Sequence, residues 1–156
     1  MRTSITDKMM FQPAPEFCET AKRIVEAPAF KWKFHHVDVD RIQFLYEFSC
    51  VETDMAACIL CVKQPYKNML AFLLGNNTPE YVICVFGHHA EGKSEKWRQI
   101  VMLHELEHIQ VDGKIKEHDV QDFKYILKAF GIDWQADREL PDITKLKPSD
   151  AILPSF

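Results

Sequence analysis

The chain has 156 residues, of which 47% are hydrophobic, enough apolar material for a globular core, and its net charge is −4. Acidic and basic residues are interspersed without the Lys/Arg density of a nucleic-acid footprint, which argues against a nucleic-acid partner. No apolar run approaches the roughly 18 residues of a membrane span, and Met1 to Gln12 lacks the apolar stretch of a secretory signal, so a cytoplasmic protein with no membrane partner is expected.

Taken in chain order, residues 15–27 read as a helix. A proline opens it, Phe17, Ala21, Ile24 and Val25 recur at helical spacing, and Pro28 ends it. Residues 42–48 are rich in β-branched and aromatic types and read as a strand. A second strand spans residues 56–62 and contains Cys58-x-x-Cys61. That pair has no second Cys/His pair of matching spacing for a zinc knuckle. The five cysteines (Cys18, Cys50, Cys58, Cys61 and Cys84) are odd in number and mostly sit in apolar runs, as free, buried thiols do. Tyr66–Leu74 reads as a short helix closed by Gly75, and Tyr81–Phe86 is the clearest strand of all.

Residues 87–93 read as a loop. Ser94 then caps a helix that should run to about Val111, where Asp112-Gly113 stops it. A polar link, residues 114–117, leads to a further helix over 118–130, ended by Gly131. The tail from Gln135 is polar, carries Pro141, Pro148 and Pro154, and is expected to wrap the surface or stay partly loose. Three strands followed by helices, with one helix in front, predict an α+β fold: a small, mostly antiparallel sheet packed on the helix after Ser94, with flanking helices. The expected organisation is a single domain over residues 1–156, with its core at about 15–134 and a tail over 135–156.

The helix after Ser94 carries the chemistry. His104-Glu105-Leu106-Glu107-His108 is a His-Glu-x-x-His motif inside an apolar run. On a helix, positions i and i+4 share a face about 6 Å apart along the axis, so two imidazoles can grip one metal ion. Glu105, one residue on, is placed to take a proton from a water activated by that metal. The expected cofactor is zinc, although imidazole serves iron, nickel and cobalt as well.

A catalytic zinc needs a third protein ligand. His118, ten residues after His108 and at the head of the next predicted helix, is the leading candidate; a carboxylate among Asp112, Glu117, Asp119 and Asp122 is the alternative. A helix N-terminus carries partial positive charge that disfavours a nearby dication. Asp119 or Asp122 would offset it, and either could accept the free N–H of a ligating imidazole. Glu107 points to another helix face and reads as solvated or as an orienting group. His88 and His89 could line the cleft or be ordinary loop residues, as could His35 and His36. Tyr125 could stabilise a tetrahedral intermediate or simply pack.

From Tyr81 to Trp134 the chain resembles the phage metallopeptidase family of small zincin-like proteins. The likeness rests on Tyr81–Phe86, Leu103-His-Glu-Leu-Glu-His-Ile109, His118-Asp-Val-Gln-Asp-Phe123 and Phe130-Gly-Ile-Asp-Trp134. By position it implies His104, His108 and His118 as zinc ligands and Glu105 as general base, in a bacterial or phage-infected host cell. The metzincin pattern is excluded, because the positions where it needs Gly and His hold Val111 and Lys114. The resemblance implies hydrolysis of a peptide or protein amide bond, with Tyr81–Phe86 as the strand nearest the site and a candidate for strand addition of the substrate. Two other readings stand beside it. One is a deformylase-like amidase using Cys84 as a ligand; the other is a metal-binding phage regulatory or interaction protein with little turnover. Oligomeric state is not legible in the sequence.

Overall fold

The computed structural model describes residues 11–49, 53–118, 122–131, 133–136 and 139–150. The chain opens with a short strand, β1 (Phe11–Pro13), which the sequence pattern does not announce, and passes directly into α1 (Pro15–Glu26). Pro15 occupies the first turn of α1, where its missing N–H costs nothing. Strands β2 (Ile42–Glu47), β3 (Ala57–Cys61) and β4 (Tyr81–Phe86) follow, with α2 (Tyr66–Leu74) between the last two. Gly87 begins a short helix, α3 (Gly87–Ala90), where the sequence suggests only a loop. A Cβ at Gly87 would lie 2.0 Å from the Phe48 ring, so only glycine lets the chain turn there. Then come α4 (Glu95–Glu107) and α5 (Lys124–Phe130).

The sheet order is β1-β2-β4-β3. β1 with β2 and β3 with β4 are antiparallel, whereas β2 and β4 run parallel, Ile42 opposite Tyr81 through Glu47 opposite Phe86. The sheet is therefore mostly antiparallel and the class α+β. β4 lies in the interior of the sheet, and β3 is its last strand.

One face of the sheet meets α1 and α4. Phe17, Ala21 and Ile24 of α1, Trp97, Ile100, Leu103 and Leu106 of α4, and Phe44, Ile83 and Val85 of the sheet belong to one buried cluster. Each fully buried large apolar side chain contributes roughly 1.5–3 kcal/mol. α4 is fixed at its start by Ser94, whose hydroxyl accepts from the Trp97 N–H at 3.1 Å, as the sequence predicts.

The tail is more firmly docked than its composition suggests. Leu140 and Ile143 are buried in the core. Gln99 of α4, itself buried, donates to Asp142 at 3.0 Å and accepts from the Ile143 N–H at 2.9 Å. A buried glutamine needs such partners, and the tail supplies them. Among the described residues no helix is long and apolar enough to cross a membrane.

Candidate metal centre

α4 presents His104 and His108 one turn apart, with ring centroids 5.2 Å from each other. The helix ends at Glu107, earlier than Val111, and His108 is its C-terminal cap, still in helical conformation. It stops there because the chain folds back as a tight return. Ile109 and Ile115 bridge, Gly113 turns the chain at φ 79°, and the Lys116 N–H donates to the His108 carbonyl at 2.7 Å. The Tyr81 hydroxyl pins the turn by donating to the Gly113 carbonyl at 2.7 Å.

That return delivers His118. Its Nε2 lies 2.9 Å from Nε2 of His104, and one ligating atom from each of His104, His108 and His118 falls within 4.8 Å of the others. His118 sits in non-helical chain, not at the head of a helix, because α5 begins only at Lys124. The unfavourable helix-dipole term against a dication at His118 is thereby absent. Among the described residues this cluster contains no carboxylate, so Asp112 and Glu117 do not join it. Asp112 instead caps its own turn, accepting from the Lys114 N–H at 3.0 Å. Asp119 lies outside the described residues.

The outer nitrogens of two of these rings are spoken for. His104 Nδ1 lies 2.6 Å from the Asp122 carboxylate in a charge-pair contact, and His108 Nδ1 donates to the Lys116 carbonyl at 2.5 Å. Each contact fixes the tautomer and turns the unprotonated Nε2 toward the shared space. Asp122 is held in turn by the Phe123 N–H at 2.6 Å and the Trp134 indole N–H at 2.8 Å. Phe123 packs edge-on against all three imidazoles, at centroid distances of 4.8–5.2 Å. Nitrogen ligands about 2.05 Å from a tetrahedral metal stand about 3.3 Å apart. The spacing of His104 and His118 is close to that, and with all three ligating atoms within 4.8 Å the set could hold a metal ion that prefers imidazole.

The electrostatics favour the same use most clearly at His108. Burial, reinforced by the neighbouring imidazoles, pushes the His108 pKa down to about 4, against the pull of the Lys116 carbonyl; the ring is neutral and able to ligate at physiological pH. Burial would lower His104 too, but its bond to Asp122 and the nearby Glu105 and Glu107 carboxylates raise it overall. Burial acts to raise Asp122, yet the hydrogen bonds from His104, Trp134 and Phe123 hold it below its ordinary range. Glu105 is 3% exposed, and its Oε2 has no partner among the described residues. Burial raises its carboxyl to about 8 in the metal-free chain.

These groups face a cavity of about 360 Å³, bordered by His104, Glu105, His108 and His118, and along one side by Ala57, Cys58 and Ile59 of β3. The strand beside the site is therefore β3, not Tyr81–Phe86, which is flanked on both sides by other strands. Sequence order misleads here because β3, although earlier in the chain, pairs outside β4.

The remaining candidates do other work. His88 donates to the Phe48 carbonyl at 3.2 Å, and His89 bonds the Thr53 carbonyl, so the two fasten Phe48 and Thr53. His35 bonds the Trp32 carbonyl. His36 bonds the Ile109 carbonyl at 2.8 Å and so steadies the chain just after His108. Tyr125 donates to Glu107, which is buried and paired with Lys33 at 2.9 Å, not solvated. Cys84 is buried in β4 opposite Cys58. Sequence reasoning missed the Lys116 carbonyl and Trp134 as orienting groups. The first is backbone and leaves no residue-type signal; the second lies far along the chain from the groups it supports.

A family model described as Putative phage metallopeptidase matches residues 9–142. The chain belongs to this family. The match takes in α1, the whole sheet and the docked tail through Asp142, well beyond the stretch from Tyr81 to Trp134 that carries the resemblance. No curated protein and no solved structure matches the chain. The name of this phage metallopeptidase family implies a metal ion and a protein or peptide substrate, and the three converging histidines are the residues that could hold the metal.

Proposed function

We propose that the protein is a zinc-dependent metallopeptidase that hydrolyses an amide bond in a peptide or protein, with His104, His108 and His118 as the zinc ligands and Glu105 as general base. The observation that carries this reading is the convergence of three imidazoles beside a buried carboxyl group whose Oε2 is free. Zinc held there would lower the pKa of a water toward about 7 and polarise the scissile carbonyl. Glu105 takes the proton of the attacking water at Oε2 and returns it to the leaving amine. Asp122 and the Lys116 carbonyl hold the His104 and His108 rings in ligating orientation throughout.

The substrate binds as an extended strand on β3, whose outer edge has no strand partner among the described residues and whose Ala57–Ile59 portion borders the cavity. The amidase reading needs Cys84 as a ligand, but Cys84 is buried in the sheet and His118 completes the set without it. An interaction protein with little turnover would have no use for a buried carboxyl beside the donor set.

Metal analysis of the purified protein beside His104→Ala and His118→Ala tests the site. About one zinc per chain, lost in both variants, is expected. Glu105→Gln should keep the metal and lose peptide hydrolysis. A wild-type chain that takes up no metal after reconstitution overturns the proposal, and metal retained in His118→Ala reassigns the third ligand.

A further inference from the structure

α2 has no place in the chemistry above, and it is the least buried α-helix of the described fold. None of its nine residues is buried. Phe72 is 90% exposed, Leu73 71%, Tyr66 66% and Met69 58%. At about 100° per residue its six apolar side chains (Tyr66, Met69, Leu70, Phe72, Leu73 and Leu74) spread over roughly 200° of the helix, leaving Lys67, Asn68 and Ala71 on the polar side. Leu60 of β3 adds a further exposed apolar side chain shortly before it in the chain. A nine-residue helix is too short to be stable in water by itself, and this one gains little from packing. Monomeric proteins seldom leave such a contiguous apolar surface without a partner for it.

The charges nearest it in the chain have one sign. Between Asp54 and Glu80 the only charged residues are Lys63 and Lys67, in a chain whose net charge is −4. Both are exposed, and neither has an ion pair among the described residues. A second copy of α2 docked on the first by a two-fold axis would bring like charges together. The apolar arc is wide, and none of the three best-formed cavities is lined by α2. An apolar helix whose own chain segment carries only cations matches a fluid, anionic interface, into which a wide apolar arc can sink while lysines stay at the headgroups.

We propose that α2 is a membrane-surface contact that inserts Tyr66, Met69, Phe72 and Leu73 into the headgroup boundary of a bilayer containing anionic lipid, with Lys63 and Lys67 at the phosphates. This departs from the expectation of no membrane partner. That expectation rested on the lack of a spanning segment, whereas surface contact needs only an exposed amphipathic helix. The proposal is independent of the metal site.

The test is cosedimentation of the full chain with vesicles of equal parts phosphatidylglycerol and phosphatidylcholine, beside vesicles of phosphatidylcholine alone. Wild type should bind the anionic vesicles, with binding weakened by added salt. Lys63→Gln and Lys67→Gln should each weaken it about fivefold, and Phe72→Glu should abolish it. Phe72 is so exposed that its variant retains the fold, which circular dichroism checks. No binding to anionic vesicles overturns the proposal, as does binding that Phe72→Glu leaves unchanged. Sedimentation velocity without lipid covers the rival occupant: a dimer that Phe72→Glu dissolves assigns the surface to a second copy and overturns the lipid reading.

Discussion

Asp122→Asn isolates the orienting contact of the candidate metal centre with little change in side-chain volume. The carboxylate accepts two N–H groups and faces a third, that of His104, at ion-pair distance. His104 Nδ1 and the Phe123 backbone reach Oδ1, and the Trp134 indole reaches Oδ2. Asparagine has one acceptor oxygen and one amide nitrogen. With its oxygen kept toward His104 and Phe123, its NH₂ faces the indole N–H, donor against donor; flipped, it faces two donors instead. Either orientation leaves a buried group unsatisfied, a cost of about 1–3 kcal/mol in stability. The bond that remains to His104 loses its ionic assistance, so the ring is less firmly aimed and less basic. Removing such an orienting partner lowers metal affinity about 10- to 100-fold, or about 1.4 to 2.8 kcal/mol of binding. Zinc competition against a chromogenic chelator measures this, with circular dichroism to establish that the variant is folded. A folded Asp122→Asn protein that binds zinc within about twofold of wild type would refute the role given to Asp122.

Three further outcomes are expected. Leu106→Ala removes a fully buried side chain from the core face of α4 and should lower unfolding stability in urea by about 2–5 kcal/mol. Lys33→Met strips the nearer cation from the buried Glu107 carboxylate; with Lys116 still 3.5 Å away and Tyr125 still donating, the loss should be about 3 kcal/mol in the same assay, and no loss would mean the pair is not formed. Burial acts to raise Asp142, but hydrogen bonds from Thr144, Gln99 and Lys145 hold its carboxyl below its ordinary 3.8. A depressed folded-state pKa means stability that is full above 3.8 and lost as pH falls through the folded value. The stability gap between wild type and Asp142→Asn should therefore be constant near neutrality and close as pH drops below about 3.8; a gap that widens in acid contradicts the assignment.

The sequence alone determined the elements whose signals are local. Proline at the start of α1, Ser94 before α4, Gly75 after α2 and the unbroken apolar run of β4 each act within a turn or two of chain, so those starts and stops could be read from residue types. The same is true of His104, Glu105 and His108, whose relation is set by helical geometry. What lay beyond sequence was decided by contacts between distant segments. α4 stops at Glu107 because the return through Ile115 and Lys116 claims the chain, and that same return, not a helix N-terminus, brings His118 to His104. β3 rather than β4 faces the site because sheet order need not follow chain order. The polar tail is docked because Gln99, buried in α4, needs partners that Asp142 and Ile143 supply. The histidine pair was legible because it depends on one helix, and His118 and Asp122 could be named as candidates from their place in the chain; the return that brings His118 in, the Lys116 carbonyl and Trp134 contacts, and the strand that borders the cavity depend on which surfaces of a folded chain meet.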